Sequence, residues 1–287
     1  APATTRNVMK IIRTIHEMHE AVTALKREGR TIGFVPTMGF LHEGHLSLMR
    51  LARERADVLA ASIFVNPMQF GPHEDYQDYP RDFERDEALC EGESVDLLFY
   101  PPADELYPGD RTVFVDEESI TTDYEGECRE GHFRGVLTVV AKLFNIMQPD
   151  VSVFGQKDAQ QLSVVRRMVR DLNFPIEIVA GPTVREPDGL AMSSRNTYLS
   201  PDQRAQALCL RKSLDLAETL IAEGEPDPQN IKQAMTELIA GHDLAKLDYL
   251  DIVDAASFEP LEEIGSNALA ILVVRFGATR LLDNQPL

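Results

Sequence analysis

Residues 31–56 read TIGFVPTMGFLHEGHLSLMRLARERA, and the fold follows from how the pattern of this stretch changes along its length. Thr31–Val35 is a short apolar run, the signature of a buried strand. Pro36-Thr37-Met38-Gly39 interrupts it, because proline has no amide to donate and glycine accepts turn conformations. From His45 onward, Leu46, Met49, Ala52 and Ala56 recur on one helical face. The stretch is therefore strand, turn, helix, with His42, Gly44 and His45 at the helix entrance. A first helical turn has unpaired N–H groups and a partial positive charge, which suits phosphate. His42 and His45 are three residues apart and share a side. Gly44 carries no side chain, so a ligand can approach the backbone there. Two imidazoles so placed can donate hydrogen bonds to oxygens that gain charge as a phosphoryl bond breaks. Two other readings use the same residues: a surface helix cap with solvated histidines, and a metal site built on the i, i+3 pair.

Working outward, Ile12, Ile15, Met18, Val22 and Leu25 predict an amphipathic helix over residues 11–27, stopped by Gly29. On the other side, Val58–Val65 is a continuous apolar run, which suits a strand covered on both faces of a parallel sheet. It leads into Asn66-Pro67-Met68-Gln69, at the strand end where open α/β sheets bind ligands. The amides of Asn66 and Gln69 both donate and accept, as a small hydroxy acid requires, or else they pin the loop. Residues 72–86 are strongly acidic. They form either a solvated loop running into a helix or a mobile lid, with Asp86 as the candidate Mg²⁺ ligand.

Further strands are expected at residues 95–100, 151–154 and 176–179, with a short extra one at 112–115 and a helix at 136–147. The 151–154 strand enters Gly155-Gln156-Lys157-Asp158 and then a helix carrying Leu162, Val165 and Val169. This is a second strand, glycine turn and helix. Lys157 sits at its entrance, where an ammonium meets a phosphate oxygen, and Gln161 lies one turn on along the same side. Met192-Ser193-Ser194-Arg195-Asn196 offers two hydroxyls and a guanidinium to the outer phosphates of a nucleotide. Alternatively it is a polar loop before a helix that opens at Pro201 with Ser200 as its cap. Helices over 201–223 and 228–240 and strands over 247–253 and 268–276 complete the chain. The expectation is an α/β protein. A Rossmann-like parallel sheet with helices on both faces occupies residues 1–184, and a smaller α+β domain that covers the site occupies 185–287.

Composition narrows the function. The chain has 287 residues, 44% hydrophobic and 26% charged, with a formal net charge of -19, ordinary for a soluble globular protein. The acidity argues against a nucleic-acid partner, since no basic stripe is present to neutralise a phosphate backbone. It leaves room for a small phosphate ligand, with a divalent cation screening the nucleotide. No apolar run approaches the ~20 residues of a membrane span. The opening APATTRNVMK has no apolar signal core, and its first residues read as a frayed end or tag remnant. Cys90, Cys128 and Cys209 are widely spaced and odd in number, which fits a reducing cytoplasm with buried or idle thiols.

The string PTMGFLHEGH resembles the His-x-Gly-His signature of the nucleotidyltransferase superfamily, in the form typical of the pantothenate synthetase family. SIFVNPMQFGP, GHFRGVLTVVAKLFNIMQPD, FGQKDAQQL and DGLAMSSRNTYLS follow in the family's order and spacing. The resemblance implies a ligase that joins (R)-pantoate to β-alanine with ATP and Mg²⁺, releasing AMP and pyrophosphate. It further implies ATP contacts from Met38, Gly39, Phe40, Leu41, His42, Glu43, Gly44 and His45, with His45 as proton donor. Gly155, Gln156, Lys157, Asp158, Val184, Met192, Ser193, Ser194 and Arg195 would complete the nucleotide site, with Ser193 to Arg195 on a mobile phosphate-binding loop. Gln69 and Gln161 would bind pantoate, Gln69 also lying near β-alanine, and the family forms a homodimer through its nucleotide-binding domain. Two positions depart from the pattern: Gln156 stands where glutamate is common, and the 82–86 stretch varies, which weakens the transfer of a metal ligand to Asp86. The alternatives are a nucleotidyltransferase acting on a phosphorylated acceptor, and a non-catalytic nucleotide sensor or metal-binding module.

Overall fold

The computed structural model describes residues 8–72 and 74–287. Residues 1–7, the expected frayed end, and His73, within the expected lid, lie outside the described residues. The chain divides into two compact units. The first runs to Gly155 and includes Val164–Gly181; the second takes Gln156–Ser163 and Pro182–Leu287.

The first unit is built on a six-stranded, all-parallel sheet. In chain order the strands are β1 (Lys10–Ile12), β2 (Ile32–Thr37), β3 (Val58–Ile63), β4 (Leu97–Phe99), β5 (Val151–Gly155) and β6 (Glu177–Gly181), and in space they run β1-β4-β3-β2-β5-β6. The apolar runs explain the centre: every residue of β3 is buried, as are Ile32–Val35 in β2. The connecting helices are α1 (Ile15–Arg27), α2 (Glu43–Arg53), α3 (Phe83–Gly92), the single turns α4 (Ala103–Leu106) and α5 (Glu125–Cys128), α6 (His132–Met147) and α7 (Ala159–Asp171). Right-handed crossovers place α2 and α3 on one face and α1 and α6 on the other. Accordingly Met49 and Ala52 of α2 and Cys90 of α3 share one core with Val35, Ala61, Leu98 and Val153. At Gly33 a Cβ would stand 2.7 Å from the Ala52 carbonyl oxygen, so glycine there lets α2 lie directly on β2. The chain leaves β2 toward β3 on one side and later returns to β5 on the other. The C-terminal end of β2 is thus the topological switch point, where open α/β sheets place ligands.

The second unit contains α8 (Pro201–Gln206), α9 (Cys209–Ala222) and α10 (Pro228–Ala240). They accompany a three-stranded antiparallel sheet, β7 (Lys246–Asp254), β8 (Ala268–Phe276) and β9 (Thr279–Pro286), in that spatial order. Leu210, Leu214, Ile231 and Met235 of the helices pack with Ile252, Ala270, Leu272 and Val274 of the sheet. The α/β class with a smaller α+β portion is as the sequence predicts.

Three expected elements need correction, and one strand went unforeseen. Residues 11–27 are not one helix: Lys10–Ile12 is an edge strand paired with Leu97–Phe99, and the helix starts at Ile15. Thr14 accepts a hydrogen bond from Glu17 N and caps it, so Thr14-x-x-Glu17 was the overlooked start signal. Residues 112–115 form no strand. Val115 N instead donates to Thr138 Oγ1 on α6 (3.0 Å), and the Arg134 guanidinium lies 4.1 Å from the Phe114 ring centroid. The single helix expected over 201–223 is two, broken at Ala207–Leu208 without a glycine or proline to mark the break. The strand β9 was not foreseen at all.

Candidate functional site

The turn after β2 is held by its own neighbours. Thr37 Oγ1 donates to Ser62 O (2.7 Å) and accepts from Gly39 N (3.1 Å). Gly39 has φ +83, the left-handed region that glycine favours. Phe40 follows at φ 49 without that freedom, and Asp86 holds it there. Phe40 N donates to Asp86 Oδ2 (2.6 Å) and Leu41 N to Asp86 Oδ1 (2.7 Å). Burial pushes the Asp86 carboxyl above its ordinary range, with the Leu41 and Phe40 amides pulling the other way. Both carboxylate oxygens are therefore engaged in fixing the turn. Each oxygen keeps a second lone pair beyond the amide it accepts. Among the described residues no group of three or more His, Cys, Asp or Glu side chains forms a metal cage.

His42 then caps α2, and the cap is made of histidines. His42 Nδ1 accepts from Gly44 N (3.2 Å) while His45 Nδ1 accepts from His42 N (3.2 Å), a reciprocal capping box. The ring centroids are 4.1 Å apart, so the two side chains share one side of the helix start. A ring whose Nδ1 accepts a backbone N–H carries its proton on Nε2 when neutral. The cap therefore fixes the tautomer of both rings and makes each Nε2 a donor. At Gly44 a Cβ would come within 2.8 Å of the His42 ring, so a larger residue there would have to displace the ring that caps α2. Capping and phosphate recognition are compatible here, because each uses a different ring nitrogen.

Gln69 belongs to the same unit and meets the turn directly: its Nε2 lies 3.2 Å from Met38 Sδ. Asn66 has the structural role. It is fully buried, donating from Nδ2 to Gln69 Oε1 and Gly135 O (both 3.0 Å) and accepting from Tyr107 O–H (2.8 Å). Burial raises the Tyr107 hydroxyl above its usual range, which keeps it a donor. The 67–69 turn sits against α6 because residue 135 is glycine; a Cβ there would be 2.3 Å from Met68 O. Met38, Gly39 and Phe40 also border an open pocket of about 170 Å³, lined further by Phe64, Tyr76, Tyr100 and Asp86.

In the second unit, Lys157, Ser193 and Arg195 border one small pocket together with Arg280 and Asp283. Lys157 is partly buried, its Nζ 3.7 Å from Asp158 Oδ1. Ser193 Oγ accepts from Arg195 N (3.3 Å) and starts a short turn over Ser194–Tyr198. Met192 N donates to Val184 O (3.0 Å), so these two residues bridge the base of the 184–192 connection. Gln161 lies on α7, half-buried, one turn after Lys157. Residues that sequence reasoning missed include Asp283 and Asn284, both buried and polar. Their only signal was an Asp-Asn pair within an apolar-polar C-terminal stretch.

Known proteins resemble this chain along nearly its whole length. The family described as pantoate-beta-alanine ligase matches residues 10–286. A pantothenate synthetase of Thermotoga petrophila is 54% identical over 276 residues, covering 96% of this chain and 99% of that protein. A pantothenate synthetase of Heliobacterium modesticaldum is 55% identical, covering 96% and 98%. The crystal structure of a pantothenate synthetase from Thermus thermophilus superposes with a TM-score of 0.92 at 47% identity, covering 97% of this chain and 99% of that one. A pantoate-beta-alanine ligase of Francisella tularensis, solved with β,γ-ATP and β-alanine, gives a TM-score of 0.79 at 32% identity, covering 97% and 98%. From the histidine-capped turn to the C-terminal sheet, the chain belongs to the pantoate-beta-alanine ligase family.

Proposed function

We propose that the protein condenses (R)-pantoate with β-alanine at the expense of ATP, through pantoyl adenylate. The observation that carries this reading is the histidine cap at the switch point. It places two histidine rings and the N-terminus of α2 at the C-terminal end of β2, where open sheets bind ligands. The pantoate carboxylate attacks the α-phosphorus and pyrophosphate leaves. The β-alanine amine then attacks the acyl carbon, loses its proton and releases AMP. No enzyme nucleophile is needed, so catalysis rests on positioning and charge stabilisation.

In this reading His42 and His45 donate from Nε2 to phosphate oxygens that gain charge, and Lys157 adds an ammonium to the same task. Ser193, Ser194 and Arg195 hold the pyrophosphate side. The ATP contacts of Met38–His45 run through the backbone of the turn and α2, and those of Gly155–Asp158, Val184 and Met192 through the second turn and the connection after β6. Gln69 and Gln161 hold pantoate, and Asn66 keeps Gln69 oriented. Mg²⁺ would come with ATP, held mainly by phosphate oxygens. Asp86, the candidate Mg²⁺ ligand, would offer the lone pairs its oxygens do not spend on the Phe40 and Leu41 amides. A homodimer formed through the nucleotide-binding unit belongs to the same reading. The reducing cytoplasm suits the buried thiols Cys90 and Cys209, which burial pushes up to about 12 and about 11.

Incubating the protein with ATP, Mg²⁺ and pantoate while withholding β-alanine tests the proposal. Pantoyl adenylate should be detected by mass, and added β-alanine should convert it to pantothenate and AMP. Exchange of labelled pyrophosphate into ATP that needs a phosphate ester in place of pantoate would point to a nucleotidyltransferase and overturn it.

A further inference from the structure

Lys157 and the Ser193–Arg195 turn are far apart in sequence, yet two adjacent residues of β9 hold both segments. Asn284 is 4% exposed, and its amide is wholly used on one turn. Its Nδ2 donates to Gln156 O (3.0 Å) and to Lys157 O (2.7 Å), while its Oδ1 accepts from Gln156 Nε2 (3.3 Å). Asp283, 2% exposed, points to the other segment. Its oxygens accept a two-pronged bond from Arg185 (Nη1 to Oδ2 2.6 Å, Nη2 to Oδ1 3.0 Å). Arg185 Nη1 also donates to Gly189 O (3.2 Å), which fixes the base of the connection leading to Ser193. Asn284 N donates to Asp283 Oδ1 (2.8 Å), so the two clamps are joined. β9 itself is paired along its length with β8 and cannot shift without breaking that ladder. A guanidinium fork on a buried carboxylate and a saturated amide are both geometrically demanding contacts.

We propose that Asn284 is a positioning residue for the ligase reaction. Asn284 sets the backbone that aims Lys157, and Asp283 holds Asn284 in place through its backbone amide. This rests on the assignment of Lys157 to the ATP phosphates. Asn284 touches no substrate; it acts by fixing two carbonyl oxygens of the turn, and so decides where the Lys157 ammonium sits. A misplacement of about 1 Å at a reacting centre is enough to lower turnover by ~10²-fold.

The test is a double-mutant cycle on AMP formation, with Asn284→Ala, Lys157→Ala and the double variant assayed at saturating pantoate and β-alanine. Asn284→Ala should lower kcat by about tenfold or more and leave KM for pantoate within about twofold. In the Lys157→Ala background the same substitution should change kcat by less than about threefold, because the group it aims is gone. Equal fold-losses in the two backgrounds would mean that Asn284 only supports the fold, and would overturn the proposal. So would wild-type turnover of Asn284→Ala beside an impaired Lys157→Ala, a result that leaves the Lys157 assignment standing. Wild-type turnover of Lys157→Ala would overturn both. If Asn284→Ala does not fold, Asn284→Ser replaces it in the cycle, its hydroxyl being too short to serve both carbonyls.

Discussion

The turn after β2 and the turn after β5 have the same local plan, a parallel strand, a glycine and a helix start, but they are held in different ways. At the first, the functional side chains are fixed from within a few residues. His42 and His45 cap each other and Thr37 binds Gly39, while Ser62, Gln69 and Asp86 reach in from 25 to 46 positions along the chain. At the second, the decisive partner is Asn284, 127 positions from Lys157. The local device sets the tautomer of its own functional groups. The distant device sets only the direction in which its functional group leaves the backbone. The histidine cap should therefore tolerate damage elsewhere in the chain, whereas the second turn depends on the integrity of a remote sheet.

The sharpest way to break this contrast is to remove the remote anchor. Asp283→Ala leaves Arg185 without its buried partner and should cost about 3–5 kcal/mol of stability, measured by chemical denaturation of the second unit's signal. A loss near zero would mean that β9 anchors nothing. Next comes His45→Ala, which should lower turnover by ~10²–10³, the usual result of deleting one donor to developing charge. Its additional loss as a cap partner should stay within ~0.5–2 kcal/mol, so the variant remains folded. Folded His45→Ala with near-normal turnover would remove the histidine from the reaction.

A smaller effect is expected at Gly135→Ala, where the new methyl meets Met68 O. Overpacking of this kind costs about 1–3 kcal/mol, and displacement of the 67–69 turn should raise KM for pantoate through Gln69. Unchanged KM in a destabilised variant would separate Gln69 from the substrate. The smallest effect concerns pH. Burial raises the Asp86 carboxyl, so the folded state holds its proton more tightly than the unfolded chain does. Its stabilising contribution is full below the ordinary value of 3.8 and is lost as pH rises through the higher folded value. Compared with Asp86→Asn, the wild type should therefore gain melting temperature as pH falls from neutral toward that value. A drift in the opposite direction would show that the two backbone amides outweigh burial.

These contrasts also explain what could be read in advance. β2, β3 and β5 were legible because strands buried on both faces are written as mostly apolar runs, with Thr37, Ser62 and Ser152 as the polar exceptions. The α2 entrance was legible because a helix start is a local event decided by four or five residues. β1 was hidden by its length of three residues and by Ile12, whose spacing also fits the helix that follows. β9 was hidden because Asp283, Asn284 and Gln285 look like surface residues, and only their partners make burial of Asp283 and Asn284 affordable. Asp86 was noticed for its charge, but its bonds to the amides of Phe40 and Leu41 could not be read from the sequence, because they join residues 45 and 46 positions apart.

What the amino-acid order determined by itself was everything that depends on neighbours: the parallel-sheet class, the histidine cap, and the presence of Lys157 and Ser193–Arg195 at turns. Tertiary structure alone decided which distant side chains complete those turns. It gave Asp86 to the first, and Asn284 and Asp283 to the second turn and the connection after β6. The physical reason is that local propensity and periodicity act over a few residues. A buried polar group is placed by whichever partner the completed fold brings within hydrogen-bonding distance, however far away in the chain that partner lies.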